Sequence, residues 1–596
     1  MAERRRRRRG ATRRRRLRRG GLVTLAIVVV LGGWALWTAR GVYEDLQTAE
    51  QQARVVRAAL GEGDVERAER ALGQLREASD SAADRTDSLP WAITERVPFL
   101  GDDAAALATV SSVLSEVARD GVEPLLASAA QVTGDAYAPS GGQFPLEQIA
   151  ALEEPAEQAN AAFVKATERL AEHDPGDLVG PLATAYLGLR DQVASGAEAL
   201  DVAARAARLM PSFLGAEQDR RYLYVFLNNA EARSGGGLPG NVSLVEAKDG
   251  AVDLVEQSSG AAFGRRDEPV LPLSAEEEAL YGTQLGTFFL DANFTPDLPR
   301  AAELWRAHWQ ERFGGELDGV FTVDPVTLSY LLEATGPITV QGVELNATNV
   351  VDVVESLVYL NQPDPLVQDE FLNQVAETAF DAFADGAGDP VGLIRGLVRG
   401  VEEGRVRLHS FDAEDQAVVA GTAIAGELTP ADPTRPQVGV YLNDGTGSKM
   451  SYYLEHQVEV AALDCQRNRQ RLSGRLVLTS TAPADAASLP EAVTGYDVVK
   501  RAEIERGQQA VVVQLMAPAA SRVSNVVLDG EPTPDPVLTD LAGRPVLPLT
   551  VVLSPGQRYE VTWQMSTAAG QDGDTDLEVT PGRLPTTSNA TISTAC

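Results

Sequence analysis

Apolar positions between residues 41 and 210 recur at helical spacing. Val42, Leu46, Ala49, Ala53, Val56 and Leu60 step by three or four residues, which predicts an amphipathic helix. Gly61-Glu62-Gly63 breaks it. Asp64 is placed to cap a second helix whose inner face carries Ala68, Leu72 and Leu75. More helix is predicted over about 102–135, 146–172 and 177–210, with a Gly/Pro/Ser loop at 136–145. Residues 41–210 thus read as a helical stalk or bundle, its alanine stripes acting as packing seams.

The pattern changes at Pro211. Arg221 to Leu227 (RYLYVFL) is a strand run rich in Tyr, Val and Phe, and Val242–Ala247 and Ala251–Glu256 predict two more strands around a Lys248-Asp249-Gly250 turn. Ser274 with Glu277 makes a capping box, and Glu276 to Glu278 read as a solvated first turn favoured by the helix dipole. Pro299–Phe313 predicts a helix with Trp305 and Trp309 on one face, read as core. Asp318–Val323 predicts a strand, Pro325–Thr335 a helix with Pro in its first turn, and Ile338–Val340 a short strand. Helices follow at about 347–359, 368–384 and 390–402. This alternation predicts a central α/β domain over 211–428. From 436 to 596 short runs of period two, separated by turns such as Ser554-Pro555-Gly556, predict an antiparallel β-sandwich.

The first forty residues read differently. Residues 1–20 hold a block of arginines (Arg4–Arg9, Arg13–Arg16, Arg18, Arg19), and residues 21–39 contain no charge. Nineteen residues at 1.5 Å each just cross a hydrocarbon core of about 30 Å. The expectation is a basic cytoplasmic tail, a single uncleaved transmembrane helix over 21–39, and a bulk that lies outside the cytoplasm. The fold class expected is therefore multi-domain: one N-terminal transmembrane helix, a helical membrane-proximal region, the central α/β domain and the sandwich.

Charge narrows the partners. The chain carries 52 Lys+Arg against 85 Asp+Glu, a net charge of -33, even with the basic N-terminus included. So acidic a body repels the phosphate backbone, and no nucleic-acid partner is expected. Two cysteines and four histidines without ligand spacing exclude a zinc ribbon or an iron–sulfur protein. His173, His308, His409 and His456 read as surface or helix-end residues. Cys465 and Cys596 either form one disulfide, as an oxidising compartment would favour, or remain two buried thiols.

The stretch with candidate chemistry is Asn228 to Gly240 (NNAEARSGGGLPG). Gly235, Gly236, Gly237 and Gly240 allow close backbone approach, and free amides in such a loop can form an anion-binding nest. Arg233 adds a planar donor fork suited to phosphate or carboxylate, and Asn228, Asn229 and Glu231 supply further polar groups. The competing reading is a long hairpin turn tied down by its own Asn side chains. No Walker or dinucleotide fingerprint opens a helix here.

The pattern Asn-Asn-Ala-Glu-x-Arg-x-x-Gly-Gly-x-x-Gly resembles the hallmark of an uncharacterised bacterial family, domain of unknown function four-zero-one-two. Asp318-Gly319-Val320 through Asp324-Pro325, Leu331 to Val340, Asn443-Asp444 and Ser448-Lys449-Met450 resemble its other signatures. That resemblance implies a membrane-anchored, exported bacterial protein. More distantly, the order of strand, polar turn, Arg and Gly is similar to LytR-CpsA-Psr envelope phosphotransferases. That similarity implies an enzyme moving a polyprenyl-pyrophosphate-linked glycopolymer onto peptidoglycan, with Arg233, Arg265 and Arg266 facing the pyrophosphate and Asp291 and Asp297 holding Mg²⁺. The chain departs from that pattern over Val343 to Glu370, which contains no Arg. A noncatalytic envelope scaffold or interaction protein with a degenerate site therefore stands as the alternative to transfer.

Overall fold

The computed structural model describes residues 33–34, 36–61, 64–98, 100–131, 139, 142–428, 433–495, 504–534, 536–585 and 590–596. It divides into two compact units, the first covering 1–137 and 147–210, the second 138–146 and 211–596. The basic tail and most of the expected membrane span lie outside the described residues. The single transmembrane helix is corrected: among the described residues no helix is long and apolar enough to cross a membrane. The part of 21–39 that is described leads into a helical run reaching residue 61 that carries Arg40, Glu44, Asp45 and Glu50. Charges at that density do not enter hydrocarbon.

The first unit is helical. Asp64 caps Val65–Thr86 by accepting from the Arg67 amide at 2.9 Å. Small residues set how closely this helix packs: Ala49, Ala59, Ala68 and Ala71 are buried beside Leu72 and Leu75. A second cluster joins Val110 and Val113 of Gly101–Glu116 to Ala166 and Leu170 of Glu153–Ala171 and to Tyr186 of Gly180–Phe213. The Tyr186 hydroxyl donates to the Leu170 carbonyl at 2.8 Å, so the one polar atom of that ring is satisfied.

The second unit begins with a five-stranded sheet. Its strands are β1 (Arg220–Arg233), β2 (Gly236–Lys248), β3 (Ala251–Ser259), β4 (Gly319–Val323) and β7 (Arg407–Ser410), in the order β3-β2-β1-β4-β7. A separate hairpin joins β5 (Ile338–Val340) and β6 (Val343–Leu345). Only the β1–β4 pair of the large sheet is parallel, so the central region is mixed rather than a parallel doubly wound sheet. Alternation along β1 serves two layers. Leu223, Val225 and Leu227 face the helix Leu298–Phe313 with Trp305 and Trp309, while Phe226 packs with Leu328, Val354 and Phe371 on the opposite side.

Residues 437–592 form two sheets. One has the order β13-β12-β16-β10-β9 and the other β14-β15-β11-β8-β17-β18. They comprise β8 (Gln437–Asp444), β9 (Leu454–Cys465), β10 (Gln470–Ser480), β11 (Gln509–Met516), β12 (Arg522–Leu528), β13 (Glu531–Thr533), β14 (Thr539–Leu541), β15 (Arg544–Leu553), β16 (Arg558–Ser566), β17 (Thr575–Val579) and β18 (Ala590–Ile592). Leu442, Leu476, Val513, Leu515, Val561 and Trp563 fill the space between them. The expectation of a purely antiparallel sandwich is corrected at one pair, since β17 runs parallel to β8. The chain crosses between sheets after β16, and no hairpin imposes the opposite direction there. Tyr441, Met516, Leu541 and Val546 join the core around Trp305, so the six-stranded sheet is also a wall of the central domain. Cys465 and Cys596 are bonded to each other.

Candidate functional site

The segment Asn228–Gly240 is not a loop. β1 runs on through Arg233 and β2 starts at Gly236, leaving a two-residue tip, Ser234-Gly235. In the register Asn228 faces Leu238 and Ala232 faces Gly237, so Asn229 to Glu231 bulge out of the ladder. Gly237 makes the bulge possible: a Cβ there would lie 2.4 Å from the carbonyl carbon and oxygen of Asn228. The Asn228 side chain holds the bulge from within, accepting from the Ala230 amide at 2.9 Å and donating to the Tyr359 hydroxyl at 2.9 Å.

The amides expected to be free for an anion are engaged by the protein. Ser234 N donates to Asn443 Oδ1 at 2.8 Å and Gly235 N to the Asn293 carbonyl at 3.2 Å. Thr580 Oγ1 donates to the Ser234 carbonyl at 3.2 Å, and Asn293 Nδ2 to that of Gly237 at 2.8 Å. Arg233 is buried likewise. Its guanidinium contacts Asp291 Oδ1 at 3.2 Å, donates to the carbonyls of Ala232 and Leu290 at 2.9 and 3.4 Å, and lies 4.7 Å from the centre of the Phe294 ring.

Of the other candidates, Asp291 meets Arg233, with Arg265 close enough to act on its charge, while Arg266 and Asp297 find other partners. Arg265 lies over Phe288, 4.7 Å from the ring centre. Arg266 pairs with Glu311 and donates to the Glu268 carbonyl at 3.2 Å. Burial raises the Asp291 pKa, with Arg233 and Arg265 pulling it back. Asp297 accepts from the Leu428 amide at 3.0 Å, and burial raises its pKa too. Among the described residues no group of three or more His, Cys, Asp or Glu is placed to hold a metal ion.

Three of the sequence candidates do meet at one place. Asn228, Glu231 and Gly240 line a cavity of about 270 Å³ between the β1–β2 hairpin and the helix Pro365–Ala384. Arg233, Arg265, Arg266, Asp291 and Asp297 do not line it. Its charged groups are Glu231, Asp369 and Lys449. The Lys449 ammonium sits 2.7 Å from Glu231 Oε1 and 4.4 Å from the centre of the Tyr359 ring. Burial alone would lower the Lys449 pKa; the charge and hydrogen bond of Glu231, together with Tyr359 and Asp369, more than offset it and keep the ammonium charged. Sequence reasoning placed Lys449 in a signature but gave it no role. The signal was its rarity: the chain writes 48 of its 52 cations as Arg.

Glu355 was missed altogether. It sits in a π-helical turn, Val353–Leu357, fully buried, and neither carboxyl oxygen has a hydrogen-bond partner. Burial first, and then the Asp324 carboxylate, push its pKa up to about 8; the Arg405 charge offsets this in part. Glu355 therefore stays protonated in the fold at pH values where the unfolded chain, with an ordinary value of 4.5, has ionised. The folded state binds more protons in that window, so stability falls as pH rises from about 4.5 to about 8. Glu355→Gln is expected to flatten this slope and to raise stability at pH 7 by roughly 3 kcal/mol, read from urea unfolding across the window. An unchanged slope would show that Glu355 does not titrate there.

Residues 217–359 match the family model described as protein of unknown function, DUF4012. This segment belongs to that family. The distant likeness to LytR-CpsA-Psr proteins is not shown by the match. No curated protein and no solved structure matches the chain. The DUF4012 segment contains β1, β2 and β4 and ends at Tyr359, against the cavity. Much of its signature is architectural. Asp318 accepts from the Arg221 amide at 2.8 Å and pairs with Arg220 at 3.2 Å. A Cβ on Gly319 would meet the His409 carbonyl oxygen at 2.6 Å. Asp324 caps the helix Pro325–Thr335 through the Thr327 amide at 2.8 Å, and Gly336, with φ +84, ends it. Lys449 and Asp369 lie beyond the DUF4012 segment but face its bulge.

Proposed function

We propose that this is a noncatalytic scaffold or interaction protein of the bacterial cell envelope, working outside the cytoplasm. The observation that carries the reading is Arg233. The arginine best placed in the sequence to meet a pyrophosphate is buried, ion-paired to Asp291 and bonded to two carbonyls. Arg265 and Arg266 have partners of their own. An arginine cluster that offsets pyrophosphate charge needs donors aimed at the ligand. The disulfide supports an oxidising compartment.

The test uses the full-length protein with a polyprenyl pyrophosphate and Mg²⁺. No Mg²⁺-dependent binding is expected, and no transfer of a pyrophosphate-linked glycan to peptidoglycan. Arg233→Ala should instead cost about 3 kcal/mol of stability, because Asp291 is left buried with Arg265 to offset it. Adding Asp291→Asn should recover part of that loss. Tight Mg²⁺-dependent binding that vanishes in a folded Arg233→Ala protein would sink the scaffold reading.

A further inference from the structure

The cavity of about 270 Å³ has a chemical character of its own. It is a different place from the Arg233 cluster on which the proposed function rests, and the inference stands apart from that reading. Size comes first. An apolar cavity of about 150 Å³ accepts benzene, so this one takes a larger body, an aromatic ring with a short chain. Phe226, Leu238, Leu290, Val354 and Leu372 give it apolar walls.

The polar groups decide the charge of the occupant. Lys449 is the cation of the wall, and Glu231 already pairs with it at 2.7 Å. The same ammonium occupies the face of Tyr359. The second carboxylate, Asp369, is half-buried; the Lys449 charge acts on it, but the direct ion pair of Lys449 is with Glu231, which leaves Asp369 open to a further cation. The wall therefore carries a net single negative charge. The N-terminus of the helix Pro365–Ala384, a rival attraction for anions, is capped by its own Asp364, which accepts from the Leu366 amide at 3.0 Å. Pro365 is exposed and Asp369 half-exposed, so the start of this helix borders both the cavity and solvent.

We propose that this cavity binds a small organic cation, an apolar body bearing one ammonium group, with Asp369 as its counter-ion and the Phe226–Leu372 walls around its body. The ammonium replaces water at Asp369, and the body fills space that the walls leave open. A carboxylate ligand of the same shape meets Asp369 and Glu231 as like charges.

The experiment is calorimetric titration of the full-length protein with three probes of matched shape: 2-phenylethylammonium, 2-phenylethanol and 3-phenylpropionate. The ammonium is expected to bind, the alcohol about tenfold more weakly or worse, and the acid not at all. Asp369→Asn, a change at a half-exposed position, should weaken the ammonium about tenfold and leave the alcohol unaffected. Leu372→Trp, which fills the cavity, should abolish binding of both. The proposal is overturned if the acid binds as well as the ammonium, if none of the three binds, or if ammonium binding survives in both variants.

Discussion

Opening the Cys465–Cys596 bond should lower the stability of the sandwich by about 4–5 kcal/mol. The two cysteines are 131 residues apart, and chain-entropy reasoning assigns a loop of that length a cost of this size in the unfolded state. The bond's position explains why the effect falls on the sandwich. Cys465 ends β9, an edge of the five-stranded sheet, and Cys596 follows β18, an edge of the six-stranded one. The link therefore ties the two sheets along one side. Urea unfolding of the oxidised protein, the dithiothreitol-treated protein and Cys596→Ser should give one midpoint for the first and a shared, lower one for the other two. An unmoved midpoint would mean that packing around Leu476 and Trp563 holds the sheets without help.

Arg405→Met is expected to cost about 3–5 kcal/mol, the range for breaking a buried ion pair by removing one partner. Arg405 has no exposed side-chain surface. It contacts Asp324 at 2.7 Å and Glu403 at 2.6 Å, and donates to the carbonyls of Gly582 and Leu584 at 2.8 and 2.7 Å. A methionine fills much of the volume but leaves two carboxylates and two carbonyls without that donor. Arg405→Lys should rescue poorly, since one ammonium cannot serve four acceptors arranged around a planar fork. Adding Asp324→Asn to Arg405→Met should recover part of the loss, because asparagine still caps the helix Pro325–Thr335. Thermal unfolding of the single and double variants separates the charge effect from the cap. Full stability in Arg405→Met would show that the charges relax to water instead.

What could be read from the sequence was local. The Ser274–Glu277 capping box forms, with Ser274 N to Glu277 Oε2 at 2.8 Å and Glu277 N to Ser274 Oγ at 3.1 Å. Pro325 opens its helix, RYLYVFL lies within β1, and Trp305 and Trp309 are core. These follow from short-range sterics and periodicity. The misses depend on distant chain. Glu277 was read as solvated, yet it is buried against Arg300 at 2.7 Å. His308 reads from the sequence alone either as a surface or helix-end residue or, beside Trp305 and Trp309, as core; the core reading holds, and desolvation lowers its pKa to about 4. The glycine-rich stretch reads either as an anion-binding loop or as a hairpin turn held by its own Asn side chains, because glycine, asparagine and serine there satisfy turn statistics; the hairpin holds, with Asn228 bracing the bulge. Its actual partners, Asn293, Asn443 and Thr580, come from elements far along the chain. The cavity could not be read for the same reason, since Glu231 and Lys449 are 218 residues apart.

The seal around Ser234 bears on how such a gene can change. Its clasps, Asn443 and Thr580, are encoded 209 and 346 positions downstream. A recombination event that exchanged the sandwich, the final quarter, for an unrelated module would strip the clasps from a buried hairpin tip and leave its polar backbone unanswered. The central segment and the sandwich are thus bound to be inherited as one cassette, whatever is joined ahead of them.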